Sequence, residues 1–377
     1  SQLDAETVQG LYAAGIQHYS VDEDNTLNIS AASGVLANDH DVDGDPLTAI
    51  LVSAPSNAAS FSLNADGSFS YTPNQDFTGT DTFTYTANDG GLDSNTTTVT
   101  ISVSAINDAP TLSNFTAVVD TTNEDTEVEI TFADLAAQGD EADVDGTVDA
   151  FVVKSVASGT LKIGTSAGAA TAWAAGTNGT VDASNHAYWT PAPDVNGTLN
   201  AFAVVAQDNQ GAESTGAVTA QVSVSAVNDD PYNAGSLPAD VTVTEDIMDF
   251  VDLSSVTLAD VDAGANLITV TLTTSTGGRL WASSDFDVIV SGSGTSTMTR
   301  TGGVSDLNNF FSSAFRFQYR HGTAHTNGDN ADTIQISVND NGNTGSGGSG
   351  NVTLGTVNVD ITPVNDAPVI TSNGGGT

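Results

Sequence analysis

Runs in which apolar residues alternate with small polar ones recur along the whole chain, and three of them end alike. TTVTISVSAI, TAQVSVSAV and GTVNVDITPV alternate apolar residues with Thr, Ser, Gln, Asn or Asp, the period of a strand with one buried face. Each leads into Asn-Asp and then a proline: SAINDAP at 104–110, SAVNDDP at 225–231 and TPVNDAP at 362–368. Proline cannot continue a ladder and holds the residue before it extended. Every unit therefore closes on a strand, presents two oxygen-bearing side chains and stiffens into the next. The copies recur at about the length of one domain, which predicts a tandem array.

Between these closing motifs the same parts return in the same order. In the first unit Glu23 and Asp24 precede a strand, Asp41, Asp43 and Asp45 occupy alternate positions, and FSLNADGSFSYTP predicts a hairpin turning at Asp66-Gly67. A strand then runs from Asp81 to Asp89. The second unit repeats this with Glu124-Asp125, Asp143 and Asp145, YWTPAPDVNGT and Asp208; the third has Glu245-Asp246, Asp260 and Asp262, then Asp332 to Asp340. The domains expected are 21–109, 110–230 and 231–367. Residues 1–20 would be an extension with a short helix between Asp4 and Gly15, and 368–377 the start of a further linker or repeat. One more short helix is expected in VSDLNNFFSSAF, capped by Ser305, and a flexible loop at 343–350. Many short strands, turn signals and little helix predict an all-β chain of three tandem β-sandwiches in an elongated array.

Charge narrows the chemistry. Six Lys and Arg stand against 47 Asp and Glu, a net charge of −41. Such a surface excludes nucleic acid as a partner and gives no purchase on an anionic membrane. Without cations it would repel itself. Cysteine is absent, so disulfides, thiolate metal sites and cysteine nucleophiles are ruled out. No run approaches a membrane span and no signal peptide opens the sequence, which reads as an exported segment of a longer polypeptide. The recurrence of the carboxylates in short motifs suits a hard cation that takes six to eight oxygens. An EF-hand does not explain them: counted from Asp41, position six is Pro46 and position twelve Val52, and counted from Asp143, position twelve is Lys154.

The order Glu, Asp-x-Asp, acid, Asp-x-Gly, Asn-Asp-x-Pro resembles the cadherin repeat. More closely, it is similar to the cadherin-like repeats of giant RTX-type adhesins of Gram-negative bacteria, over roughly 21–368. That resemblance implies cadherin/Ig-like sandwiches locked end to end by several junctional Ca2+ ions. Carried over by position, it implies that Glu23, Asp81, Asn107 and Asp108 meet Asp143, Asp145 and Asp208 at a first junction. Glu124, Asn228 and Asp229 would meet Asp260, Asp262 and Asp340 at a second. Asp41, Asp43 and Asp89 would face a domain upstream, and Glu245, Asp332, Asn365 and Asp366 one downstream. Asn200 stands where Asp81 and Asp332 have a carboxylate, so the second junction is expected to bind calcium more weakly.

Other residues carry weaker signals. His321 and His325 lie four apart near Asp329 and Asp332, a zinc-like spacing, but Gly322 and Gly328 argue for a loop of surface histidines. His18, His40 and His186 have no evident serine partner, and no enzyme is expected. Trp173, Trp189 and Trp281 offer rings that could stack on sugars. Trp189 replaces Tyr71 and is expected in the core, and Trp281 is the best candidate for a ligand contact, although core packing is the favoured expectation there too. The expected function is a calcium-rigidified extender of an extracellular bacterial surface adhesin, serving cell adhesion or biofilm attachment. Its partners would be calcium and neighbouring repeats. The alternative is a glycan- or peptide-binding module of the same adhesin, chiefly through the third repeat.

Overall fold

The computed structural model describes residues 17–285, 287–342 and 350–369. Three separate hydrophobic cores organise them, each enclosed by two sheets. In the first, the strands His18–Asp22, Thr97–Ser104, Gly79–Asn88 and Thr48–Ser53 form one sheet in that order, and Leu27–Ile29, Phe69–Pro73 and Ala58–Leu63 form the other. Alternation builds this sandwich: Phe83, Tyr85, Val99, Ile101 and Val103 face inward while the residues between them face out. The second sandwich pairs a five-stranded with a four-stranded sheet, and the third a six-stranded with a three-stranded one.

The first strand of every sandwich pairs in parallel with its last: His18–Asp22 with Thr97–Ser104, Asp120–Asn123 with Val218–Ser225, and Asp240–Thr244 with Val352–Thr362. Two parallel strands start at the same end. The chain therefore enters each sandwich at one end and leaves at the other, which allows repeats to stack in line.

Several local expectations change. The first sandwich begins at His18 rather than Val21: Tyr19 is in the core, and the Gln17 side chain donates to the Val35 carbonyl at 2.5 Å. The helix expected between Asp4 and Gly15 lies outside the described residues, as does most of the 343–350 loop. The Val304–Phe311 helix is present, burying Leu307, Phe310 and Phe311. Ser305 lies inside it and Gly303 is its N-cap, because the preceding strand runs to Gly303 and leaves no room for a later start. A second helix, Phe132–Ala136, was not expected. Thr131 and Asp134 start it by a reciprocal capping box, too short a signal to stand out beside the strands. Among the described residues no helix is long and apolar enough to cross a membrane.

Candidate cation sites at the repeat junctions

Each site is built from the parallel strand pair. As the first strand ends, Glu23 N donates to Ser104 O at 2.9 Å, Glu124 N to Ser225 O at 2.9 Å and Glu245 N to Thr362 O at 3.0 Å. These glutamates are each 3 % exposed. Their Oε1 atoms accept the backbone N–H two residues past the last strand, Ile106 at 2.8 Å, Val227 at 2.5 Å and Val364 at 2.6 Å. The buried glutamate thus ties the start of a sandwich to its exit segment.

The next residue, Asp24, Asp125 or Asp246, takes a left-handed φ of 58°, 56° or 63°. Asp is among the few residues that tolerate this conformation. Its Oδ1 accepts from the N–H of Asp76 (3.5 Å), Asp194 (3.3 Å) or His325 (3.0 Å), which are left-handed too. Three residues later Gly79, Gly197 and Gly328 have φ of 120°, 103° and 135°, open to glycine but not to other residues. The exit aspartate completes a triad. Asp24, Asp76 and Asp108 offer oxygens within 4.8 Å of one another, as do Asp125, Asp194 and Asp229; the third triad is Asp246, His325 and Asp366.

The exit motifs reach across. Asn107 Nδ2 donates to Asp208 Oδ2 at 2.6 Å, and Asp108 N to Asp145 Oδ1 at 3.2 Å. At the second junction Asn228 Nδ2 donates to Asp340 Oδ2, and Asp229 N to Asp262 Oδ2 at 2.5 Å. Asp143 Oδ1 accepts from Asp145 N and Gly146 N, and Asp260 Oδ1 from Asp262 N and Ala263 N, so each turn holds one carboxylate oxygen and leaves the other. Those others, Asp143 Oδ2 and Asp260 Oδ2, are buried without a hydrogen-bond donor, as are Asn107 Oδ1 and Asp108 Oδ2. Buried oxygens normally have partners, and these are gathered where the carboxylates crowd.

The electrostatics agree. Burial and the charges of Asp76, Asp24, Asp145 and Asp143 raise the Asp108 carboxyl above its ordinary value. Burial and Asp262, Asp194, Asp125 and Glu124 do the same to Asp229. Burial is the first cause for Asp260 as well, with Asp340 and Asp262 adding to it. Asp208 is lowered, first by the Asn107 amide. These are like-charge clusters that a proton or a cation relieves.

The outer residues are only partly assembled. Asp41 Oδ1 accepts from Asp43 N and Asp45 N, and Asp89 Oδ1 from Gly91 N and Leu92 N, at the entry end of the first sandwich. Asn365 and Asp366 are exposed at the exit of the third.

Two expected ligands are engaged elsewhere. Asp81 accepts from Ser56 N, Asn57 N, Thr82 N and the Tyr71 hydroxyl. Asp332 accepts from Ser275 N, Thr276 N, Gly278 N and the Tyr319 hydroxyl. At 3 % and 1 % exposure they brace loops inside their own sandwiches. In the second sandwich Trp189 replaces the tyrosine and donates its indole N–H to Ser158 O at 2.7 Å, while Asn200 accepts from Gln221. The Asp-to-Asn change follows the Tyr-to-Trp change, so it removes an internal brace, and the reason to expect a weaker second junction falls away. Asp24, Asp76, Asp125 and Asp194 are the residues that sequence reasoning passed over. Their signal was the second acid of each Glu-Asp pair and an Asp three residues before a recurring glycine.

The remaining candidates separate as well. Trp189 is fully buried, whereas Trp173 and Trp281 are half-buried. His321 faces Thr276 O and Thr323, and His186 the Glu129 carboxylate. His18, for which no serine partner was expected, lies 3.0 Å from the Ser102 hydroxyl because its strand pairs with Thr97–Ser104.

Residues 13–105 match the family model of the bacterial cadherin-like domain. No curated protein matches the chain. Among solved structures the chain is similar to a protocadherin gammaB7 EC3–6 cis-dimer, at 14 % identity over 93 % of this chain and 72 % of that one, with a TM-score of 0.48. It is also similar to mouse cadherin-23 EC22–24, at 13 % identity over 93 % and 96 % of the two chains, with a TM-score of 0.47. The family match falls on the first sandwich and the same parallel pairing of first and last strands recurs in the second and third, so the chain is three tandem β-sandwiches of which the first is similar to the bacterial cadherin-like domain.

Proposed function

We propose that the chain is a calcium-rigidified extender, a stalk segment of an extracellular bacterial surface adhesin that serves cell adhesion or biofilm attachment. The observation that carries this reading is the set of buried, donor-free oxygens on Asn107, Asp108 and Asp143, contributed from both sides of one junction. Hard oxygen donors from carboxylate and amide are what Ca2+ takes. Glu23, Asp24, Asp76, Asn107, Asp108, Asp143, Asp145 and Asp208 would hold the ions at the first junction. Glu124, Asp125, Asp194, Asn228, Asp229, Asp260, Asp262 and Asp340 would do so at the second. The bound ions supply positive charge that offsets the carboxylate repulsion, and ligands drawn from two sandwiches then lose their freedom to bend apart.

Small-angle X-ray scattering in millimolar calcium and again in chelator tests the proposal. A maximum dimension fitting three sandwiches in line, with a broadened distribution on chelation, supports it; identical curves would reject it. Because both junctions carry the same donor types, Asp108→Asn and Asp229→Asn are expected to remove comparable calcium binding in calorimetric titrations of the whole chain. Loss in only one variant would show that the junctions differ.

A second reading, a glycan- or peptide-binding third repeat, is favoured by one observation. Phe250 and Phe315 are 43 % and 73 % exposed and meet edge to face at 5.4 Å. Array binding abolished by Phe315→Ala would support it.

A further inference from the structure

The third triad departs from the other two in one residue. Asp76 and Asp194 have φ of 56° and 57°, donate their N–H to the aspartate after the buried glutamate, and precede a left-handed glycine by three. His325 does all three, with φ 57°, a 3.0 Å bond to Asp246 and Gly328 three residues on. Asn327 matches Asn196 in turn: both side-chain amides donate to the buried glutamate, Glu245 at 2.8 Å and Glu124 at 3.2 Å. His325 therefore stands in the place of a carboxylate ligand on the same scaffold. Its Nδ1 lies 3.1 Å from Asp246 Oδ2 and 2.7 Å from Asp366 Oδ2, aimed into the triad.

We propose that the exit end of the third repeat is a mixed nitrogen–oxygen site that takes a zinc-class divalent cation in preference to calcium. The inference rests on reading the first two triads as cation sites. Calcium binds hard oxygens and gains little from an imidazole, whereas zinc, cobalt and nickel ions bind one readily. Two carboxylates and one imidazole are a donor set of the zinc type, and the 63 % exposed His325 side leaves the remaining position open to water. Binding through Nδ1 requires the neutral ring, so a proton on that nitrogen leaves as the metal enters. The array would then carry two calcium-selective junctions followed by an exit that responds to a different ion.

The test uses the whole chain held in saturating calcium and titrated with Zn2+ by calorimetry, with Co2+ absorption in the visible as a report of nitrogen ligation. One zinc equivalent is expected beyond the calcium sites. His325→Ala should weaken it by about tenfold or more, as loss of one of three protein donors requires. His325→Asp should abolish it and add calcium uptake in its place. The side chain is exposed and aspartate suits the left-handed backbone, so His325→Asp leaves the fold intact, while His325→Ala adds only local strain at one exposed position. Zinc binding that His325→Ala leaves intact, or no zinc binding at all, overturns the proposal and leaves His325 as a built-in ion-pair partner of Asp246 and Asp366. Zinc binding lost in His325→Ala, in a chain that takes up no calcium, would sink the stalk reading and leave this site standing.

Discussion

Replacing Asp332 with alanine is expected to unfold the third repeat at temperatures where the first two stay folded. The substitution strips the acceptor from Ser275 N, Thr276 N, Gly278 N and the Tyr319 hydroxyl, around a carboxylate only 1 % exposed. Each buried donor left unsatisfied costs about 1–3 kcal/mol, and partial rewetting makes a net loss of about 3–5 kcal/mol the reasonable sum. That is a large share of the ~5–15 kcal/mol that holds a domain together. Calorimetry should resolve an early transition for the third repeat. Asp81→Ala should do the same to the first, while Asn200→Ala, at an exposed position, should move the second by about 0.5 kcal/mol or less. Equal effects in all three repeats would contradict the bracing role.

The same carboxylate sets an acid limit. Burial alone would raise Asp332, but the Thr333 and Thr276 N–H groups and the Ser275 and Tyr319 hydroxyls outweigh it and hold the group at about 2. Its folded value lies below that of an unfolded aspartate. The stabilisation is therefore complete above pH ~4 and is lost as the pH falls through ~2, on the order of 2 kcal/mol in all.

Removing calcium is expected to cost both sandwiches that share a junction. A ligand that binds only the folded state contributes about 2.7 kcal/mol at a hundred times its Kd. With Asp108 and Asp229 already raised by burial and by neighbouring carboxylates, chelation would also restore the repulsion that a bound ion offsets. Melting temperatures should fall in chelator and recover with added calcium, and proteases should gain access near Asn107 and Asn228. The dependence should weaken in high salt, which screens exposed carboxylates from one another. Melting curves that superpose with and without calcium would remove the thermodynamic basis of the stalk.

Much of this was legible in the sequence. Period-2 runs closing on Asn-Asp-x-Pro marked the last strand of each sandwich, and Asn107, Asp108, Asn228 and Asp229 do reach across to the acids of the next repeat. Spacing failed where a residue's role depends on a partner distant in sequence. Asp81 and Asp332 align with one another, and alignment cannot distinguish a metal ligand from a brace; only the Tyr71 and Tyr319 hydroxyls above them do. Trp189 in place of the tyrosine was the hint that Asn200 answers to the core. Asp76 and Asp194 were overlooked because an Asp within a short polar stretch such as NQDFTG or PDVNG reads as an ordinary turn. Their meeting with Asp24 and Asp125 depends on a left-handed backbone that the sequence does not display.

The parallel pairing of first and last strands has a consequence for a chain pulled from both ends. Tension enters through one strand and leaves through its parallel neighbour, so the load runs lengthwise along a single ladder. In the third repeat that ladder runs from Asp240↔Asn358 to Thr244↔Thr362, and its bonds share the shear and must fail together instead of opening one by one. Resistance of this kind is governed by the unfolding rate more than by equilibrium stability. A repeat of modest equilibrium stability can therefore still resist a pull applied along its length.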